Sequence, residues 1–205
     1  MTCAVFGQEE ISLDLPPSGR VDYWPCADSG LGLSKVKIAL EHELDWRQLP
    51  VRMFGRSIPQ PRLTAFYGDP GVTYRYSGLT LQAQPWTRIL KRLRTAAELL
   101  ACQQFNSVLC NLYRDGRDHM GWHADDEREL GSNPVIASMS FGAERRFLLK
   151  PRSGEGDRVE FLLKSGSLLV MRGDLQQYWL HQLPRALRIR QQRINLTFRQ
   201  ITKLA

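Results

Sequence analysis

Lysine is scarce in this chain: of 28 basic residues only six are lysine and 22 are arginine, against 21 acidic residues, for a net charge of +7. Long apolar runs are missing too. No stretch approaches the roughly 18 consecutive apolar residues of a membrane helix, so a helix-spanning protein is excluded. The first thirty residues contain Glu9, Glu10 and Asp14 and no apolar core, so a secretory leader is not expected. A lysine-rich import signal is also lacking near the start, which leads us to expect the bacterial cytoplasm, or the nucleus if the source is eukaryotic. The four cysteines (Cys3, Cys26, Cys102, Cys110) have no C-x-x-C spacing; a disulfide scaffold or cysteine zinc knuckle is therefore not expected, and a reducing compartment is. Repeats and low-complexity tracts are absent. What is present is an ordinary globular balance, 42% hydrophobic and 24% charged over 205 residues, enough for one domain.

The arginine excess has two readings. Guanidinium forks match phosphate geometry, which favours a polyanionic partner; a genome rich in arginine codons gives the same count. The basic residues cluster at Arg52, Arg56 and Arg62, at Arg88 to Arg94, at Arg145 to Arg158 and at Arg185 to Arg193.

Residues 1–33 hold Pro16-Pro17, Ser18-Gly19, Pro25 and Ser29-Gly30 without a sustained period, and read as an arm that packs on the domain without building it. The domain then runs over 34–205. A helix is expected from Ser34, its N-cap, with Val36, Ala39, Leu40 and Leu44 on one face. A second starts at Pro85 and carries Trp86, Ile89, Leu90, Leu93, Ala97 and Leu100. Short strand-like pieces fill 50–80. After Phe105 come FNSVLCNLYR, PVIASMSF, RRFLLK, RVEFLLK, SLLVM and INLTFRQI, divided by Gly, Pro and Asp. Short strands with turn signals predict an α+β fold, a β jelly roll buttressed by the earlier helices.

His123 and Asp125 form an H-x-D triplet. On extended backbone, residues two apart face the same side, so both can reach one metal ion. His181 is a candidate third ligand, just beyond SLLVM and Gly173. Two histidines and a carboxylate on one face of an octahedron leave three positions open, as a non-haem Fe(II) oxygenase requires. His119 and His123 also have the i, i+4 spacing of a zinc-protease helix, but Gly121 lies between them and Met120, not Glu, follows His119.

In QRINLTFRQ, Ile194, Leu196 and Phe198 alternate with Arg193, Asn195, Thr197 and Arg199. The polar face either meets solvent or lines a barrel mouth where guanidinium groups clamp carboxylates, as a dicarboxylate such as 2-oxoglutarate demands. Asn111 and Tyr113 repeat that spacing; they are either satisfied core polar groups or further ligands for oxygen.

N-x-Y, H-x-D, His and R-x-N-x-T-x-R, in this order, resemble the AlkB family of Fe(II)/2-oxoglutarate nucleic-acid dealkylases. The resemblance covers about residues 45–201 and is greatest to the branch of the second human homologue, which repairs double-stranded DNA. It is carried by Met53-Phe54-Gly55, YGDPGVTYRYSGLTL from Tyr67, Pro85-Trp86, FNSVLCNLYRDGRDHMGWHADDEREL from Phe105 and INLTFR from Ile194. It implies that His123, Asp125 and His181 hold Fe(II). Arg193 would pair the far carboxylate of 2-oxoglutarate and Arg199 would lie near its chelating end, with Asn111, Tyr113, Asn195 and Thr197 in support. A nucleotide-recognition region falls at about 50–80. There Tyr76, where that branch has Phe, would stack on a flipped base opposite the His123 ring. Phe54 would belong to a finger that enters the duplex, although Met53 departs from the Val of that branch. Asp126 and Glu127 would face the cationic base, with Tyr74, Ser77 and Arg62 completing the substrate-facing set.

The implied reaction uses O₂ to hydroxylate the N-methyl group of N1-methyladenine or N3-methylcytosine in DNA, repairing the base directly and releasing formaldehyde. The methyl group lies on the Watson–Crick edge, so the base must be flipped, and the arginine clusters would grip the flanking phosphates. A monomer acting on alkylated, duplex DNA is expected, with no membrane partner. The alternatives are a 2-oxoglutarate oxygenase acting on RNA or protein, and a jelly-roll binding protein without catalysis. The duplex-entering finger and +7 charge argue against a protein substrate. The intact His123, Asp125 and His181 argue against a loss of catalysis.

Overall fold

Alternating strands dominate the computed structural model, which describes residues 10–27, 30, 32–53, 56–76 and 79–202. The first half holds β1 (Ile11–Leu15), β2 (Gly19–Trp24), helix α1 (Leu33–Glu43), β3 (Pro50–Met53), β4 (Arg56–Pro59), β5 (Leu63–Gly68), β6 (Thr73–Tyr76), β7 (Leu79–Gln82), β8 (Gln84–Pro85) and helix α2 (Arg88–Ala101). The second holds β9 (Ser107–Tyr113), β10 (Met120–His123), β11 (Ile136–Gly142), β12 (Arg145–Pro151), β13 (Val159–Leu163), β14 (Leu168–Gly173), the short helix α3 (Leu175–Tyr178), β15 (Trp179–Leu183) and β16 (Arg193–Arg199).

Eight strands form the larger sheet, in the order β1-β2-β14-β11-β16-β9-β5-β8, and β10-β15-β12-β13 form the smaller. From β9 onward the chain passes repeatedly between the two, which is the winding of a double-stranded β-helix. The pairs β3–β4 and β6–β7 stand outside both sheets.

Side-chain alternation explains the layers. Ile194, Leu196 and Phe198 of β16 pack with Val108, Cys110 and Leu112 of β9 in the core that also holds Leu90, Leu93 and Ala97 of α2. The opposite face of the larger sheet supplies Leu109, Ile136, Leu169 and Met171 to a second core with Phe147, Leu149 and Phe161 of the smaller sheet. Arg193, Asn195, Thr197 and Arg199 are therefore turned between the sheets, and all four are buried. The alternation meets a second sheet, not solvent.

Both helices form where expected, with shifted starts. Gly32, at φ 75°, caps α1 and accepts from the Val36 N–H at 3.1 Å, so Ser34 lies inside the first turn. Pro85 pairs in parallel with Gly68, and α2 starts after Thr87, whose hydroxyl oxygen accepts from the Leu90 N–H at 3.3 Å.

The reading of residues 1–33 as an arm that packs on the domain without building it is corrected over 11–24. β1 and β2 form a hairpin, and β2 pairs with β14 from Leu168↔Trp24 to Gly173↔Gly19. The Pro16-Pro17-Ser18-Gly19 segment that resembled a linker joins the two strands.

Candidate metal centre and co-substrate pocket

The cross-strand register assembles the centre. His123, at the end of β10, pairs with His181 in the middle of β15, and their rings meet edge to face with centroids 4.2 Å apart. Asp125 follows two residues later on irregular backbone. One ligand atom from each of the three lies within 4.8 Å of the others. The His123 Nδ1–H donates to the Gly121 carbonyl at 2.8 Å, which leaves the Nε2 lone pair 3.7 Å from Asp125 Oδ1. Buried His181 has an Nδ1 with no hydrogen-bond partner.

Charge state suits a metal as well. Burial, helped by His123 and Arg199, lowers the His181 pKa to about 3 and keeps the imidazole neutral. Burial pushes the Asp125 carboxyl up, but Arg199, His181 and His123 outweigh it and hold it well below the usual range. Arg199 Nη2 donates to Asp125 Oδ2 at 2.6 Å, and the Asp125 N–H donates to Gln176 Oε1 at 2.9 Å. Two neutral imidazoles and one fixed carboxylate fit a divalent iron.

Arg193 lies at the other end of β16, opposite Tyr113 on β9, as Asn195 lies opposite Asn111. It is 1% exposed, and its Nη2 donates to Ser140 Oγ at 2.9 Å and to Asn195 Oδ1 at 3.3 Å. Nε and Nη1 have no hydrogen-bond partner, and no carboxylate pairs with it among the described residues. Burial lowers its pKa to about 10. A buried cation with free donors fits one end of a dicarboxylate. Asn195 Nδ2 donates to Ser138 Oγ at 3.0 Å, and Thr197, Asn111, Tyr113, His123, Asp125, His181 and Arg199 line the same cavity.

The substrate-facing candidates divide. Arg62 lines the cavity and donates from Nε to Asn111 Oδ1 at 2.8 Å. Tyr74 is wholly buried against Phe66, with its ring 5.4 Å from the Arg199 guanidinium, so it supports Arg199 and offers no open face to a base. Asp126 is exposed and paired with Arg152 at 2.8 Å; Glu127 is half-buried, and burial raises its pKa. Phe54, Ser77 and the Tyr76 side chain lie outside the described residues, although Tyr76 itself ends β6.

Sequence reasoning missed Gln176, Ser138 and Ser140. The serines had a signal: on β11 they alternate with Ala137, Met139 and Phe141, the same pattern as β16. Gln176 had none, because α3 has four residues.

Residues 34–199 match the 2OG-Fe(II) oxygenase superfamily. The chain belongs to that superfamily. It is an Fe(II)- and 2-oxoglutarate-dependent oxygenase with O₂ as co-substrate. Within the superfamily it is 42% identical over 177 residues to the DNA oxidative demethylase ALKBH2 of Mus musculus, covering 82% of this chain and 74% of the relative. The Bos taurus ALKBH2 is 44% identical over 158 residues, 74% of this chain; the match spans 57% of the relative, little more than half its length. The alpha-ketoglutarate-dependent dioxygenase alkB homolog 3 of Mus musculus is 40% identical over 207 residues, 95% of this chain and 71% of the relative. Among solved structures, that of OsALKBH1 superposes with a TM-score of 0.64 at 15% identity, covering 93% of this chain and all of that one, and attests the fold. No helix among the described residues is long and apolar enough to cross a membrane.

Proposed function

We propose that this oxygenase demethylates N-alkylated bases in DNA, with N1-methyladenine and N3-methylcytosine as its substrates and duplex DNA as its usual form. The observation that supports the chemistry is the His123–Asp125–His181 triad lining one cavity with Asn195 and Tyr113, the two residues that border the carboxylate-free Arg193. Similarity to relatives named as DNA oxidative demethylases supports the substrate class.

In this reading His123, Asp125 and His181 hold Fe(II). Arg193 binds the far carboxylate of 2-oxoglutarate, assisted by Tyr113, Asn111, Asn195 and Thr197. A bound iron and co-substrate would supply the O₂ activation needed to hydroxylate a C–H bond of the N-methyl group. Arg199 fixes the Asp125 carboxylate; Tyr76 and the His123 ring stack on the flipped base. Asp126 and Glu127 favour a base that carries positive charge, and its loss with formaldehyde restores the neutral base.

Duplex preference assigns Phe54 a task, filling the gap left in the stack. Phe54→Ala should reduce demethylation of double-stranded N1-methyladenine substrates about ten-fold, or about 1.4 kcal/mol. Single-stranded activity and the melting temperature should hold. Mass spectrometry of the oligonucleotides reads the outcome, and an equal loss on both strands' forms with a lowered melting temperature would assign Phe54 to the core. The protein is expected to act as a monomer, which sedimentation of the DNA complex checks.

A further inference from the structure

Arg145, the first residue of β12, is 1% exposed and pairs with no carboxylate among the described residues. Its donors serve main-chain carbonyls: Nη1 that of Asp115 at 3.3 Å, Nη2 those of Asp118 at 2.9 Å and Pro184 at 2.6 Å. Nε has no partner. The nearby acids are paired elsewhere, Asp118 with Arg114 at 2.8 Å and Asp115 with Arg117 at 2.6 Å; they favour the Arg145 charge only through space, and burial outweighs them. The carbonyls belong to the turn between β9 and β10 and to the residue after β15. That junction is close: a Cβ on Gly116 would stand 1.8 Å from the Ala186 carbonyl oxygen.

A neutral donor could serve carbonyls, and burying a cation costs several kcal/mol unless something uses its charge. Arg145 stands 5.9 Å and Arg193 5.3 Å from the centroid of one ring, Tyr113. Two like charges in this low-dielectric wall oppose each other, and Arg145 lowers the pKa of Arg193. An anion placed at Arg193 relieves both.

We infer that Arg145 is a positioning and specificity-determining residue, which makes the far end of the co-substrate pocket select a 2-oxo acid ending in a carboxylate over a neutral one of equal length. The inference rests on the reading that Arg193 holds the far carboxylate. Arg145 does not touch the ligand; it acts through Tyr113 and Arg193 and through the added field.

The test is equilibrium binding of 2-oxoglutarate and of 2-oxopentanoate, its methyl-ended counterpart, to the Mn(II)-loaded protein. Arg145→Gln keeps a donor for the carbonyls and removes the charge. It should weaken 2-oxoglutarate about ten-fold, equivalent to about 1.4 kcal/mol, and leave 2-oxopentanoate within about two-fold. Equal weakening of both acids, or an unchanged ratio, would reduce Arg145 to a structural arginine. Should that variant not fold, Arg145→Lys decides: it keeps the charge and must keep the ratio although it loses carbonyl bonds. Arg193→Met is the control. If it leaves the ratio intact, the pocket reading itself fails; if it abolishes the ratio while Arg145→Gln does not, only the inference fails.

Discussion

Arg193 and Arg199 end the same strand, and burial acts on them with opposite results. Burial opposes the Arg199 charge, but Asp125 with Tyr74 and Glu127 outweighs it and raises the pKa, whereas Arg193 has no acid and is lowered by burial to about 10. One arginine completes an ion pair with Asp125; the other, under the proposed function, is left for an incoming carboxylate. The triad depends equally on what each ligand touches. His181→Ala should abolish turnover and leave the purified protein with little iron by metal analysis, because two ligands do not hold Fe(II) in a facial site. Normal iron content would move the third ligand elsewhere. Gln176 fixes Asp125 from behind through its main chain, while Arg152 ties Asp126 and the Gln176 carbonyl at 2.8 and 3.1 Å. Gln176→Leu should weaken Mn(II) or Fe(II) binding about ten-fold, the scale of an outer-shell partner. An unchanged metal affinity, measured by titration, would make Gln176 a filler of the second core.

Elements were legible where a single period governed them. The strands from β9 to β16 that alternate or run apolar stand near their expected positions, and so do α1 and α2. His123 and Asp125 could be paired on extended backbone, yet only His123 lies in a strand; the turn after it swings Asp125 onto Arg199. The β1–β2 hairpin escaped because prolines masked its alternation, and its pairing with β14 is reinforced by a long-range ion cluster that no local pattern reveals. Asp22 accepts from Ser12 Oγ at 2.8 Å, Arg20 Nε at 2.6 Å and Arg172 Nε at 2.7 Å, and Arg172 also donates to the Ala101 carbonyl at 2.8 Å. Burial opposes the Asp22 charge, but Arg172, Arg20 and Ser12 hold its pKa below the ordinary carboxylate value. A carboxyl depressed on folding stabilises fully above its unfolded pKa, and that stabilisation is lost as pH falls through the folded value. Asp22→Asn should therefore melt lower than the parent near pH 7 and lose less melting temperature on acidification below about pH 4. Parallel acid profiles for the two proteins would show that Asp22 gains nothing from its charge.

Over the whole molecule, the arginine count overstated the phosphate-binding surface. Arg145 and Arg193, which fell within two of the basic clusters, are buried, and Arg146 and Arg152 pair with Glu160 and Asp126. Arg94 lies over the Trp86 ring at 4.8 Å and pairs with Asp69. Composition records charge but not burial, so guanidinium groups that serve the fold or the co-substrate looked the same as those free to meet DNA. Arg88, Arg92, Arg185 and Arg188 are exposed and without ion pairs to carboxylates among the described residues; under the proposed function they are the ones available for phosphates. Fold and triad were legible because each is written in a short motif or a period; the Arg145–Asp118, Gln176–Asp125 and Asp22–Arg172 contacts join residues 27, 51 and 150 positions apart. The most direct measurement of the central claim is formaldehyde released per 2-oxoglutarate consumed, with N1-methyladenine oligonucleotides offered single- and double-stranded. The account predicts one formaldehyde for each adenine restored, dependent on added Fe(II) and absent in His181→Ala. Consumption of 2-oxoglutarate with no formaldehyde from either form, or formaldehyde undiminished in His181→Ala, would contradict it.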